Sequence, residues 1–171
     1  LANGNLPGAF NVTGGSVNAN AAISTATTAM TFQQTTISGL GPVTNVATHT
    51  LTMRNVTVTA MFGISNDGTL NFSGTNTFNN SPLITSASSH IIIADPAAAA
   101  SVTVTNGLTN SGIIDLSSAN AAFGASLNVT PGIAMLVGRV SKVEVVGAYA
   151  RRRLIVKLSS PPGAKQIRVE R

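Results

Sequence analysis

The sequence predicts an all-β fold, a short parallel β-solenoid, from two observations. The first is a repeat: pentads at 68–72 (GTLNF), 90–94 (HIIIA), 112–116 (GIIDL) and 134–138 (AMLVG) begin at equal intervals along the chain. The second is their character, because they are short, β-branched and alternating, which is typical of strands rather than helices. A fixed 22-residue period indicates a solenoid, in which each coil buries its core only against its neighbours.

Alternation within the pentads predicts which side chains face the interior. Residues two apart in a strand share a face, so Leu70 and Phe72 point one way and Asn71 the other. The same parity, repeated in every coil, predicts an inward column that also contains Leu51, Met53, Ile92, Ala94, Ile114, Leu116 and Leu136. A second strand of each coil, with its valines and leucine inside, is predicted at 56–59, 102–105 and 127–130.

The phrases SNDGTLNFS at 65–73 and LTNSGIIDLS at 108–117 resemble the repeats of parallel β-helix proteins. The resemblance is to the passenger and adhesin repeats of secreted bacterial proteins and to the shafts of phage tailspikes, and it covers residues 47–138. It implies a parallel solenoid and a function among those of the family, which includes adhesins, virion fibres, polysaccharide lyases and ice-binding proteins. The alternative fold is an antiparallel β-sandwich or jelly roll in which the period arises by chance.

The charge divides the chain. Of a net +5, residues 1–138 carry −2 and residues 139–171 carry +7. We predict an N-terminal cap or assembly arm at 1–45, the solenoid body at 46–138 and a basic segment at 139–171. Three short alternating strands with Gly and Pro-Gly turns predict a small antiparallel sheet in the last segment. That sheet would cover the unpaired strand edges at one end of the solenoid.

Composition argues against several classes of protein. The chain has no cysteine and only 9% charged residues, so disulfides and thiolate chemistry are excluded. No apolar stretch reaches the roughly 18 to 20 residues that span a membrane, and no nucleophile elbow, P-loop or dinucleotide fingerprint is present. Low charge with abundant Thr, Ser and Asn is unlike a typical cytosolic enzyme. We expect an extracellular or virion-surface location.

The titratable side chains of residues 1–138 do not predict a catalytic or metal site. His49 and His90 fall at the same pentad position with one coil between them, which argues against a shared metal. Asp67, Asp95 and Asp115 are the only carboxylates there, and polysaccharide hydrolases need paired acids. We therefore expect no enzyme activity and no catalytic, cofactor or metal residues.

Two Thr-x-Thr phrases, at 57–59 and 103–105, are similar to those of ice-binding solenoids, in which a flat ladder of threonines meets ice. Such a ladder needs threonines on every coil. The intervening coil, near 80–83, lacks them. The sequence therefore favours ordinary β-propensity as the reason for these threonines.

The same parity predicts an apolar patch on the outside of adjacent coils. Its members are Ile91, Ile93, Ile113, Met135 and Val137. Monomers rarely expose a contiguous apolar patch of this kind. We therefore predict an assembly interface, covered by copies of the chain in a trimer or polymer, or by another segment of the same chain.

A basic cluster in the last segment predicts a second contact surface. Its members are Arg151, Arg152, Arg153 and Lys157. Such a cluster suits an acidic protein partner or an anionic surface. Tyr149 is the only aromatic residue nearby, so a stacking platform for single-stranded nucleic acid is absent, and nucleic acid is not expected as a partner.

Together these features predict a non-enzymatic structural protein, a self-assembling subunit of an exposed particle. The particle would be a virion, with the chain as a spike, fibre or decoration protein, or an extracellular filament. The first alternative is a glycan-binding adhesin module, which would use exposed aromatics such as Phe62, Phe78 and Phe123. The second is a polysaccharide-degrading β-helix enzyme, which would need two close carboxylates.

Overall fold

The computed structural model describes residues 9–117 and 123–129. The strands are β1 (Phe10–Thr13), β2 (Ser16–Asn18), β3 (Ile23–Ser24), β4 (Met30–Gln33), β5 (Thr36–Ser38), β6 (Val43–Asn45), β7 (Thr50–Arg54), β8 (Thr57–Val58), β9 (Ile64–Asn66), β10 (Thr69–Ser73), β11 (Thr75–Phe78), β12 (Leu83–Thr85), β13 (His90–Ile93), β14 (Ala100–Val104), β15 (Leu108–Thr109), β16 (Ile113–Leu116) and β17 (Ala125–Val129). Among these residues there is no helix, and none is therefore long and apolar enough to cross a membrane.

Three sheets run along the solenoid, and successive strands of the chain belong to sheets A, B and C in turn. Sheet A has the order β1-β4-β7-β10-β13-β16, sheet B the order β17-β14-β11-β8-β5-β2, and sheet C the order β15-β12-β9-β6-β3. Every pair of neighbouring strands is parallel. The predicted parallel β-solenoid is confirmed, and an antiparallel sandwich is excluded for the described residues.

The coils vary in length. In sheet A, one column contains Leu51, Leu70, Ile91 and Ile114. The three intervals between these residues along the chain are the lengths of three successive coils, and each interval is longer than the one before. The first two are shorter than the predicted 22-residue period and the third is longer. The difference arises in the turns, because the strands themselves pair residue to residue.

This variation corrects the predicted register at one coil. A shift of one residue moves every side chain of a strand to the other face. In β13, Ile91 and Ile93 align with the inward column of β10 and are 2% and 0% exposed. The predicted inward residues Ile92 and Ala94 are instead half-buried and point outward. The sequence prediction was wrong here because it applied one period to turns of unequal length.

The rest of the predicted interior is confirmed where the structure describes it. The buried members of the sheet A column are Leu51, Met53, Leu70, Phe72, Ile114 and Leu116. The buried valines of the second strands are Val56, Val58, Val102 and Val104, and the half-buried residues of β17 are Leu127 and Val129. Leu136 lies outside the described residues. Burying a side chain of this size contributes about 1.5–3 kcal/mol to folding.

The solenoid begins earlier than the sequence predicted. Residues 10–45, expected to form a cap or arm, form β1 to β6, and these strands extend the same three sheets. Phe10 packs edge-on against Phe32 with ring centroids 6.1 Å apart, so the first coil shares the common core. The predicted segment at 139–171, with its antiparallel sheet, lies outside the described residues.

A column of left-handed residues forms the corner between sheets A and B. Gly14, Gln34, Asn55 and Gly74 have φ angles of 76°, 51°, 53° and 61°. The side-chain oxygen of Asn55 accepts a hydrogen bond from the Thr75 amide at 2.8 Å. A Cβ atom at residue 74 would lie 2.1 Å from that oxygen. Glycine at 74 therefore allows the two coils to stack at this corner.

Buried polar side chains line the corner between sheets C and A. The Thr25 hydroxyl donates to Asn45 Oδ1 at 2.9 Å, and Asn45 Nδ2 donates to Asn66 Oδ1 at 2.7 Å. Thr85 donates to Asn110 Oδ1 at 2.7 Å further along the same corner. Because buried polar groups must be hydrogen-bonded, these contacts stabilise the stacking of successive coils.

Candidate functional site

The structure divides the predicted assembly patch. Ile91 and Ile93 lie in the core and cannot contact a partner. Ile113 is 40% exposed at the start of β16 and points outward, as predicted. Met135 and Val137 lie outside the described residues. Ile113 is therefore the described member of the patch that is available for assembly.

The predicted basic patch also lies outside the described residues. Its members are Arg151, Arg152, Arg153 and Lys157. The acidic or anionic partner inferred from it stays a prediction. Within residues 9–117 and 123–129 the single Lys or Arg side chain is Arg54, so the described surface has little positive charge of its own.

Asp95 caps a long corner between sheets A and B. Its carboxylate accepts hydrogen bonds from the amides of Ala97 at 2.9 Å and Gly74 at 3.1 Å, and Arg54 Nη2 lies 3.7 Å away. The hydrogen bond from Ala97 is the main cause that lowers the pKa of Asp95. Burial opposes it, and Arg54 and Gly74 reinforce it. Backbone amides that donate hydrogen bonds to a carboxylate favour its charged form.

His90 and Asp115 form a pair across neighbouring strands on the outside of sheet A. His90 Nε2 lies 2.5 Å from Asp115 Oδ2, and both side chains are partly exposed. His49 is not in the same column, because His90 aligns through Thr69 with Thr50. Within the described ranges, no group of three or more His, Cys, Asp or Glu residues could hold a metal ion.

The outside of sheet B carries an unbroken column of short polar side chains, which we call the central column. Its members, one from each strand, are Ser16, Thr36, Thr57, Thr77, Thr103 and Asn128. The strands pair without a bulge, so these side chains repeat at the coil spacing of about 4.7–4.9 Å.

A second column follows two residues later along each strand. Its members are Asn18, Ser38, Thr59, Asn79 and Thr105. The hydroxyls of Thr59 and Thr105 donate to carbonyl oxygens of the adjacent coil at 3.3 Å and 3.0 Å. In contrast, no threonine hydroxyl of the central column is bonded to protein within the described residues. We call the two columns together the hydroxyl face.

The hydroxyl face corrects an inference from the sequence. The coil that was expected to lack the Thr-x-Thr ladder near 80–83 supplies Thr77 from β11 to the central column, whereas Asn79 takes the second position of the pattern. The strand was missed because its inward residues are Asn76 and Phe78 instead of valines. Asn76 is tolerated inside because it accepts from the Val56 amide at 3.0 Å and donates to the Ser73 carbonyl at 2.9 Å. The alternation of TNTF at 75–78 was the available signal.

The other two outer faces are less regular. Sheet A presents Arg54, the His90–Asp115 pair and Ile92. The outward column of sheet C consists of Ser24, Thr44, Ser65, Ile84 and Thr109. Ile84 is among the exposed large apolar residues and interrupts that column. Of the described faces, that of sheet B alone is uniform in chemistry.

An exposed apolar ridge lies at the corner between sheets B and C. It consists of Leu40, Met61 and Phe62, which are 64%, 64% and 57% exposed. The Met61 amide donates to the Gly39 carbonyl at 3.0 Å, which places Met61 beside Leu40 on the next coil. Of the aromatics considered for glycan binding, Phe62 is exposed whereas Phe78 is fully buried.

Comparison with known proteins identifies no relative. No protein-family model matches the chain, and neither a curated protein nor a solved structure matches it. A parallel β-solenoid by itself does not indicate one function. The functional argument therefore depends on the surfaces described above.

Proposed function

We propose that the chain is a non-enzymatic structural protein that assembles with copies of itself in an exposed particle. The particle is a virion, in which the chain would be a spike, fibre or decoration protein, or an extracellular filament. The observation that supports self-assembly is the apolar ridge of Leu40, Met61 and Phe62. It replaces Ile91 and Ile93 as the main candidate contact.

The chemistry of the ridge suits a protein partner. Methionine and aromatic side chains are enriched in the cores of protein interfaces. Three large apolar side chains exposed side by side lose contact with water when a partner covers them, which favours association. Arg54 is the single Lys or Arg of the described residues, so charge repulsion between the described surfaces of two copies would be weak.

The carboxylates support a non-enzymatic reading. Asp95 is held by two backbone amides and Arg54, and Asp115 is paired with His90. A glycoside hydrolase needs two carboxyl groups that face one cleft, with one of them able to give up a proton. The lowered pKa of Asp95 opposes that role.

Light scattering of the full chain over a dilution series, with negative-stain images of the same sample, tests the assembly. We expect oligomers or filaments that persist on dilution, and a shift toward monomer in the double variant Met61→Gln, Phe62→Gln. The matched control is Ile84→Gln, which removes an exposed apolar side chain from sheet C and should leave the assembly unchanged. A wild-type chain that is monomeric throughout would refute self-assembly.

A glycan-binding adhesin is the second candidate, because Phe62 is an exposed aromatic side chain that could stack on a sugar ring. A glycan array probed with the wild-type chain and with Phe62→Ala separates the two readings. Binding that is lost in Phe62→Ala, in a chain that remains monomeric, would favour the adhesin.

A further inference from the structure

We propose that the apolar ridge is the contact of a two-fold symmetric dimer in which the two solenoids run antiparallel. The inference depends on the proposed self-assembly and specifies which part of the second copy covers the ridge. Leu40 of one copy packs against Met61 and Phe62 of the other, and two-fold symmetry repeats this contact. Three features of the corner between sheets B and C carry the inference: the turn at Met61 and Phe62, the uneven outline of the corner and the uncharged surfaces beside it.

Met61 and Phe62 lie at the tip of a tight turn. The Gly63 amide donates to the Ala60 carbonyl at 3.0 Å, which closes a β-turn with Met61 and Phe62 as its two central residues. Gly63 has a φ of 58°, and a Cβ atom there would clash with the Pro82 carbonyl of the next coil. The turn is therefore packed closely on its neighbour, and its two large side chains project from the corner.

The corner recedes directly beyond this turn. Segments 18–23, 38–43 and 59–64 join the second column of sheet B to aligned residues of sheet C on three successive coils, and they are equal in length. The corresponding segment of the next coil, 79–83, is one residue shorter. Its Ser81 is buried, and the Ser81 hydroxyl donates to the Ala60 carbonyl at 2.7 Å. The coil after the turn therefore has no large side chain projecting at the corner.

This outline is complementary to itself when one copy is reversed. Along the corner, the exposed alanines Ala21 and Ala22 come first, then Leu40, then Met61 with Phe62, and then the recess. With the two-fold axis between the second and third of these coils, Leu40 faces the larger pair and the alanines face the recess. Parallel solenoids would instead oppose the two larger pairs and leave a gap between the two recesses, and such a gap forfeits van der Waals contacts.

The surfaces on both sides of the ridge allow a second copy to approach. The described outward columns of sheets B and C contain no charged residue, so no charge has to be desolvated when they meet a partner. The three ridge side chains present roughly 400 Å² of exposed surface per copy. A standard interface buries about 800 Å² per partner, so the alanines and the short side chains of the flanking columns would supply the rest.

A two-fold contact of this kind is closed. Each copy uses its ridge once, so the ridge by itself gives a dimer, and a larger particle needs a second contact surface. Because each contact occurs twice, Leu40→Gln should weaken dimerisation by roughly 10-fold per contact and roughly 100-fold per dimer. The control variant Ile84→Gln should leave the dissociation constant of the dimer unchanged.

Cross-linking of the full chain at single cysteines tests the geometry, because the sequence contains no cysteine of its own. Ala21→Cys and Asn79→Cys place thiols at exposed positions on the coils before and after the ridge. With a short bis-maleimide linker, we expect a product that joins positions 21 and 79 when the two variants are mixed, and little product from either variant alone. The matched control, Ala87→Cys, alters an exposed alanine between sheets C and A and should give no product with Asn79→Cys.

The double variant Ala21→Cys, Asn79→Cys should cross-link to a dimer and no further. Within one copy its two thiols are three coils apart, about 14 Å, which disfavours an internal link. Products that join position 21 to 21 or position 79 to 79 would indicate parallel solenoids and overturn the proposal. A ladder of higher multiples from the double variant would indicate a head-to-tail contact and would also overturn it.

Light scattering of the wild-type chain separates this proposal from self-assembly itself. Oligomers that form without the mixed product would overturn the two-fold geometry and leave self-assembly standing, whereas a monomeric chain would refute both. Circular dichroism of each variant checks that the solenoid is folded, and Ala22→Cys replaces Ala21→Cys if that variant does not fold.

Discussion

The outer faces of sheets A and B belong to the same coils but differ in chemistry. Both sheets turn apolar columns inward, and Phe72 of sheet A meets Phe78 of sheet B edge-on with centroids 5.9 Å apart. Outside, sheet A carries Arg54 and the His90–Asp115 pair, whereas sheet B carries short polar side chains only. The shared core constrains alternate residues of each strand and leaves the others free to differ. Function is therefore expected in the outward residues.

The largest expected effect on stability tests which residues of β13 face the core and which belong to the outer face of sheet A. Ile91→Ala should lower the free energy of unfolding by about 2–5 kcal/mol, because it leaves a cavity in the core. Ile92→Ala should cost less than about 1 kcal/mol, the range of β-propensity at a partly exposed site. Urea unfolding followed by circular dichroism measures both. The reverse order would restore the 22-residue register and reassign the outer face of sheet A.

A smaller, pH-dependent effect is expected at the corner that joins the two sheets. The pKa of Asp95 is lowered in the folded chain, chiefly by the hydrogen bond from the Ala97 amide. Its contribution to stability is therefore complete above the unfolded pKa of about 3.9 and is lost as the pH falls through the lower folded value. Asp95→Asn should reduce stability at neutral pH and flatten the acid limb of the stability curve.

Thermal unfolding from pH 7 downward measures this dependence for the wild-type chain and Asp95→Asn. Asp67→Asn is the matched control, because the Asp67 carboxylate makes no hydrogen bond or ion pair among the described residues. An acid limb that is unchanged in Asp95→Asn would show that the corner does not hold the carboxylate as described.

The smallest effect is expected for the pair that distinguishes sheet A from sheet B. His90 and Asp115 are partly exposed, and exposed ion pairs contribute about 0–1 kcal/mol. A double-mutant cycle with His90→Ala and Asp115→Ala should therefore give a coupling free energy below about 1 kcal/mol. A much larger coupling would indicate that the pair is shielded, and would give the face of sheet A a specific role.

The sequence predicted the fold class well because every coil of a solenoid needs inward apolar residues at nearly the same spacing. Alternation identified Leu70 and Phe72 as core residues, and the valines at 56–59 and 102–105 as the second strand of their coils. It failed at Ile91, where a one-residue difference in turn length reversed the assignment. It also missed Thr77, since the buried Asn76 beside it does not look like a core residue until its hydrogen bonds are known.

The sequence by itself determined short strands with an apolar inward face and favoured parallel coils, because alternation and a nearly constant period are local properties of the chain. Only the tertiary structure decided which residues align across coils. The corners are held together by contacts such as Asn55 with Thr75 and Asp95 with Gly74, which join residues about one coil apart. The hydroxyl face and the apolar ridge depend on that alignment, so neither could be assembled from the sequence alone.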